Sequence, residues 1–382
     1  MCPADGTGQP LGSGAVRELT PSERDWLEVR RYLQEHRHDL AVRAAEEFPA
    51  SARMAGTPLL AAPGWQPAVP VPLSDISLEL TAAADGAAGT PWPPGDAAAL
   101  PERADGTRYL SYSQALAELA APAVFENRVT YRLTAADLAS GAPRLTFAGG
   151  RYFDGIDTGE AAAHEFAATG LGRPPRGPRV RLDNPCDLRQ RPANLAISTL
   201  TLRLDRAAGR ASFLVHWRDP ARVGHAGGLY QVVPVGVFQP SGPAARPAGP
   251  DFSLWRCLVR EFAEELAGHP EEYGGAADYE AWPFARQLTE ALEAGRIRVW
   301  CLGLGTDPLT YATDLLTVAV IDSDVFDAWF SVNPRHNAEG TVLAAREFAA
   351  HVIDRTLTRE PVQAAGAAVL RLAWQHREML GS

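Results

Sequence analysis

The chain contains no lysine, so all 36 of its basic residues are arginine, and 46 Asp and Glu bring the formal net charge to −10. An acidic chain without a basic stripe lacks the means to neutralise phosphates along a strand, so nucleic acid is not expected as a partner. The most basic run, Arg173–Arg181, is broken by prolines and a glycine and reads as a linker between domains. Cysteine is scarce. Cys2, Cys186, Cys257 and Cys301 lie far apart and match no zinc spacing, which fits the reduced thiols of a cytoplasmic protein. No run of eighteen apolar residues occurs, so no membrane span is expected. Met1–Gly14 has neither the positive start nor the apolar centre of a signal peptide. His164-Glu165 has no second histidine four residues on, so the zinc-protease pattern fails. His36 and His38, two apart on a helix, point to different sides. A helix-turn-helix is also missing.

What is present is the composition of a soluble globular protein, 46% hydrophobic and 21% charged, and at 382 residues it is long enough for two cores. The abundance of Ala, Arg, Gly and Pro reads as a bias of the source genome. We divide the chain into a disordered N-terminus (1–16), an α+β domain (17–172), a linker (173–192) and a second α/β domain (193–382). In the first domain, Thr20-Pro21-Ser22-Glu23 is a capping box opening a helix to about Glu47. Strands are expected at Ile76–Leu80, Phe125–Leu133 and Arg144–Phe147, helices at Ser113–Leu119 and Glu160–Ala168, and turns at Trp92-Pro93-Pro94 and Gly149–Gly155.

The second domain opens with a hairpin, Leu195–Leu204 and Ala211–Trp217. Leu229–Val233 reads as a strand, Pro234–Gly236 as a turn and Pro240–Pro250 as a surface loop. Beyond a polar loop at Gly274-Gly275 come a helix at Tyr279–Ala294 and strands at Ile297–Leu304 and Leu315–Ile321, the latter apolar enough to be buried on both faces. Helices follow at Asp324–Phe330, Val342–Thr356 and Val362–Leu380. The last carries an apolar stripe that can cover this domain or join a second copy in a homodimer.

The informative stretch is Arg260–Gly268, R-E-F-A-E-E-L-A-G. Glu261, Glu264 and Glu265 stand at i, i+3 and i+4, which gathers them on one side of a helix. Leu254, Leu258, Phe262 and Leu266 form an apolar stripe able to seat that helix, Ser253 can cap its start, and Gly268 followed by Pro270 ends it. Carboxylates packed together repel unless a cation or a basic side chain sits among them, and oxygen ligands of this kind suit Mg²⁺ or Mn²⁺. A solvated acidic face is the plainer reading of the same spacing.

The segment resembles the Nudix box, whose helical half reads R-E-U-x-E-E-x-G-U, with U apolar. Arg260, Glu261, Phe262, Glu264 and Glu265 are in register with it, Ala267 stands at the glycine, and Gly236 is similar to the glycine that opens the box. Gly236 lies twenty-four residues before Arg260, where the family has fourteen, and Pro240–Pro250 accounts for the excess. Phe252 holds the place of an upstream glutamate, with Asp251 beside it.

The resemblance implies a Nudix-like α/β/α sandwich in the C-terminal half. It implies that Glu261, Glu264 and Glu265 hold Mg²⁺ or Mn²⁺ against a pyrophosphate while a carboxylate takes a proton from the attacking water. Arg260 would pair with a neighbouring glutamate or contact phosphate. Glu339, in the turn Asn337–Thr341, would supply a further catalytic acid. The implied activity is a metal-dependent hydrolase cleaving a pyrophosphate bond in a nucleoside diphosphate linked to another group. The alternative is a catalytically inactive Nudix-like protein that senses a nucleotide.

Overall fold

Apolar residues alternate or run continuously along residues 195–205 and 313–322, and the protein builds its central sheet on these two segments. They pair in parallel, with Leu195 opposite Thr313 and Leu204 opposite Asp322. The computed structural model describes residues 18–81, 99–122, 125–220, 222, 227–242, 248–270, 276–337 and 339–381. The expected disordered N-terminus, the turn at Trp92-Pro93-Pro94, the middle of the Pro240–Pro250 loop and the Gly274-Gly275 loop lie outside these residues.

In chain order, α1 (Pro21–Glu35) starts on the capping box. Thr20 Oγ1 accepts from the Glu23 N–H at 3.1 Å, and the Glu23 carboxylate accepts from the Thr20 N–H at 2.8 Å. The chain leaves helical geometry at His36 (φ −117°), so α2 (Arg37–Glu46) is a separate helix where the sequence predicts one unbroken element. Then follow β1 (Val71–Pro72), β2 (Ser77–Leu80), α3 (Tyr112–Leu119), β3 (Val129–Asp137), β4 (Arg144–Arg151), α4 (Tyr152–Gly155) and α5 (Ala161–Gly170). β4 runs through Gly149-Gly150, where a turn is expected. A Cβ at Gly150 would come within 2.9 Å of Arg132 Cβ on the neighbouring β3, so glycine permits that strand to approach.

The second half contains β5 (Leu195–Asp205), β6 (Arg210–Phe213), β7 (His216–Arg218), β8 (Tyr230–Gln231), β9 (Val235–Val237) and α6 (Leu254–Glu261), which continues as a π-helix over Phe262–Ala267. After it come α7 (Pro283–Glu293), β10 (Ile297–Thr306), β11 (Thr313–Asp322), α8 (Ser323–Trp329), β12 (Arg335–His336), β13 (Gly340–Val342), β14 (Arg346–Glu347), α9 (Ala350–Arg359), α10 (Ala364–Gln375) and α11 (Arg377–Gly381). Two expectations change here. The region Val342–Thr356 is strand for its first part, and Gly236 sits within β9 opposite Ile197 and not in a turn. The valines flanking Gly236 favour extended backbone, and β5 offers them a partner.

The main sheet is mixed, in the order β1-β10-β11-β5-β6-β14, with β9 also on β5; smaller sheets are β12-β13-β7-β8 and β2-β4-β3. Its two faces follow the strand period of two. Leu315, Ala319 and Ile321 pack with α6, α7 and α8, whereas Leu316, Val318 and Val320 pack with α9 and α10. The layering is therefore helix, sheet, helix in a mixed α/β protein. None of the described helices is long and apolar enough to cross a membrane.

The expected boundary at residues 173–192 does not separate two cores. Leu60, Trp65, Tyr131 and Phe147 belong to the same buried cluster as Ile197, Leu258 and Leu315. Ring contacts from Tyr131 to Phe238 (4.6 Å) and from Phe147 to Phe252 (5.6 Å) join the β2-β4-β3 sheet to the segments around α6. The arginine-rich segment is likewise pinned down. Glu165 accepts from the N–H groups of Gly177 and Arg179, and Arg179 pairs with Glu47 at 2.6 Å and donates to the Pro308 carbonyl at 2.8 Å.

Candidate functional site

The acidic helix begins where its cap residue predicts. Ser253 Oγ accepts from the Arg256 N–H at 3.3 Å, and Gly268 ends the helix in the left-handed region at φ 76°. Leu254, Leu258, Phe262 and Leu266 are all buried, so the apolar stripe faces the core. The second half is wider than an α-helix, its backbone bonds spanning five residues over Phe262–Ala267. In this wider turn Glu265 is buried, while Glu261 and Glu264 are half-buried.

Each carboxylate has a distinct seat. The Glu261 carboxyl lies directly over Gly236, where a Cβ would fall 1.9 Å from its Cδ. Only glycine leaves that space. Glu265 Oε1 accepts from the Val235 N–H at 2.8 Å, so β9 contacts two of the three helix glutamates. Burial, reinforced by the charges of Glu264 and Glu265 and opposed by Arg260, holds the Glu261 carboxyl well above the usual carboxylate range. The charge of Glu339 acts in the same direction.

Arg260 faces away from these glutamates in its hydrogen bonding. It is 9% exposed, pairs with Asp251 Oδ1 at 3.0 Å, donates to the Gln239 carbonyl at 2.6 Å and bonds the Tyr279 hydroxyl. Tyr279 in turn donates to Asp251 Oδ1 at 2.5 Å. The arginine thus pairs with an aspartate and not with the glutamate expected beside it. Asp251 also accepts from the Ser241 N–H and hydroxyl, at 3.0 and 2.8 Å, which ties the two ends of the Pro240–Pro250 segment together.

Glu339 approaches from the turn between β12 and β13. Asn337 shapes that turn by accepting from the N–H groups of Glu339 (3.0 Å) and Gly340 (2.8 Å), and its Nδ2 donates to the Glu265 carbonyl at 3.5 Å. Glu339 Oε2 pairs with Arg218 Nη1 at 2.7 Å. The side chain keeps 39% of its surface accessible, yet surrounding protein still raises its pKa, against the pull of Arg218.

Two residues of this site escape the sequence. His216 and Arg218 lie on β7, which pairs with β13 so that Thr341 faces Trp217 and Val342 faces His216. His216 is 1% exposed, and its Nδ1 lies 3.2 Å from Glu265 Oε2. No helical or strand spacing links a β7 histidine to Glu265. The signal is a tertiary one, carried by sheet pairing. Among the described residues, His216, Glu265 and Glu339 form a group whose potential metal-binding atoms all lie within 4.8 Å of one another. Tyr152 of α4 stands near enough to feel Arg218 and Glu339, and burial pushes its hydroxyl up to about 12.

Two cavities lie elsewhere. One of about 590 Å³ is bounded by Trp26, Tyr112, Asp157, His164 and Arg173, and another of about 510 Å³ by Leu73, Phe252, Trp255 and Trp300. Neither is lined by the four glutamates. Chemically, the glutamate group offers several oxygen donors and one imidazole nitrogen, a set suited to a divalent cation. The close seat of Glu261 over Gly236, and the buried Glu265 Oε2 without a hydrogen-bond partner, both fit a built site. No family model matches the chain, and the curated proteins contain no significant match to it.

Proposed function

We propose that the protein is a divalent-cation-dependent hydrolase that cleaves a pyrophosphate bond in a nucleoside diphosphate linked to another group. One observation carries this reading: Glu265 of the helix and Glu339 of a distant turn bring their carboxylates together with His216, and Glu261 of the same helix lies over the glycine that makes room for it. An arrangement that concentrates negative charge, against repulsion and desolvation, has use for a cation. The resemblance of Arg260–Glu265 to the Nudix box and the helix-sheet-helix layering support the same reading.

A bound cation would polarise phosphoryl oxygens and lower the pKa of the attacking water. The chain's own part is to fix the donors. Val235 N–H holds Glu265, Gly236 admits Glu261, and Arg218 holds Glu339. Glu261, seated over Gly236, is the carboxylate we assign to take a proton from that water. Arg260 and Asp251 keep the helix aligned with the segment that leads into it.

The test is ³¹P detection of products from nucleoside diphosphate conjugates incubated with the full-length protein and Mg²⁺ or Mn²⁺. Turnover is expected, and Glu264→Gln or Glu265→Gln is expected to reduce it by about 100-fold or more. Binding of the nucleotide without any product would replace the hydrolase with a nucleotide sensor. Neither binding nor turnover would remove both.

A further inference from the structure

We propose that the cation site is a mixed nitrogen and oxygen site in which His216 is a direct ligand beside Glu265 and Glu339, so that it favours a first-row transition ion such as Mn²⁺ over Mg²⁺. This rests on the reading of the glutamate group as a cation site and names the ion that group selects.

The geometry at His216 is the first support. Its Nδ1 and Glu265 Oε2 are 3.2 Å apart, yet Glu265 Oε2 has no aligned hydrogen bond. Two ligands on one ion, each bonded at about 2.1 Å and separated by an angle between octahedral and tetrahedral, stand roughly 3.0 to 3.4 Å apart. The observed separation falls in that interval, as expected of two donors that share a third atom.

Burial is the second support. His216 is 1% exposed and Glu265 5% exposed, and Glu265 Oε2 finds no hydrogen-bond partner. Buried polar atoms are nearly always paired, so a carboxylate oxygen left this way in the interior calls for an explanation. An ion shared with His216 Nδ1 supplies one. The donor atoms of His216, Glu265 and Glu339 lie within 4.8 Å of one another, close enough to converge on one centre.

Arg218 completes the arrangement. It engages Glu339 Oε2 at 2.7 Å, and holding a ligand carboxylate in place is the role such outer partners have in metal sites. The choice of ion follows from the donors. Magnesium takes oxygen almost exclusively, whereas imidazole suits transition ions. A nitrogen ligand therefore separates Mn²⁺ from Mg²⁺ at a site that carboxylates alone would leave open to both.

The experiment uses full-length protein stripped of metal by a chelator and titrated calorimetrically with Mn²⁺ and with Mg²⁺. A parallel Mn²⁺ sample is examined by pulsed electron paramagnetic resonance for coupling to a directly bound nitrogen. Expected are nitrogen coupling in the unmodified protein and Mn²⁺ affinity at least tenfold above that for Mg²⁺. His216→Ala should weaken Mn²⁺ binding by about 10- to 100-fold, remove the coupling and leave Mg²⁺ affinity almost unchanged. The spectrum of the unmodified protein decides the matter even if the variant fails to fold. Mn²⁺ bound without nitrogen coupling, or equal losses for both ions in the variant, would overturn the proposal while leaving a hydrolase with an all-oxygen site intact. Nitrogen coupling in a protein that releases no phosphate product would instead keep this site and remove the hydrolase. If neither ion binds, the site itself is refuted.

Discussion

At the scale of single residues, Gly236 and Glu261 depend on each other. Adding a methyl group at position 236 would place a carbon 1.9 Å from the Glu261 carboxyl, and the atoms that must yield are the tip of a flexible side chain. Gly236→Ala is therefore expected to cost only about 1 kcal/mol of stability. Its effect on turnover should be much larger, about 100-fold, because a displacement of order 1 Å is enough to misplace a catalytic group. A urea melt and a ³¹P rate on the same variant check both halves, and an equal rate for variant and parent would remove Glu261 from the chemistry.

The same carboxyl gives the metal-free protein an unusual pH response. Its native pKa lies above the ordinary value of 4.5. Between that value and the raised native one, the unfolded chain has released its proton while the native chain retains it, so stability falls as pH rises. Thermal melts in a chelator should show the melting temperature dropping from about pH 5 upward, with the slope reduced in Glu261→Gln. Melting temperatures that rise over the same interval in both proteins would contradict this assignment.

At the scale of elements, the acidic helix is locked by its neighbours more than by its own propensity. Arg260 joins it to Asp251, Tyr279 and the Gln239 carbonyl, and the three side chains are buried. Arg260→Ala would leave Asp251 buried without its cation, a change that costs about 3 to 5 kcal/mol. A chemical denaturation series measures this directly, and a loss below about 1 kcal/mol would mean that the pair is decorative.

This helix also shows what a sequence can and cannot disclose. Its start at Ser253, its stop at Gly268 and its buried stripe follow from capping chemistry and periodicity, both local properties. The widening over Phe262–Ala267 does not, since a π-helical turn is stabilised by tertiary contacts. For the same reason Gly236 reads as a turn residue although it lies in β9, because the strand exists only through its pairing with β5. His216 and Arg218 carry no spacing signal at all; they reach Glu265 and Glu339 through the pairing of β7 with β13. Asp251 was visible as the nearest acid to the expected position, but its partnership with Arg260 required the loop between them to close.

At the scale of the whole molecule, a buried cluster that draws on both sides of residues 173–192 predicts that the halves do not fold separately. Residues 193–382 alone would expose the surface that Leu60, Trp65, Tyr131 and Phe147 cover. This fragment is expected to lack a cooperative thermal transition, whereas the full chain melts in one step. Circular dichroism of the two proteins checks this, and a sharp transition in the fragment would restore the two-domain division.

The central pairing of β5 with β11 has one more consequence, for synthesis. Thr199 and Thr317, which bond across it at 2.7 Å, are 118 residues apart in the chain. During translation β5 leaves the ribosome long before its parallel neighbour exists, and contacts between distant segments form slowly. The nascent polypeptide must therefore carry the β11-facing edge of β5 unpaired while about 118 further residues are added, and this interval is when a chaperone would be most needed.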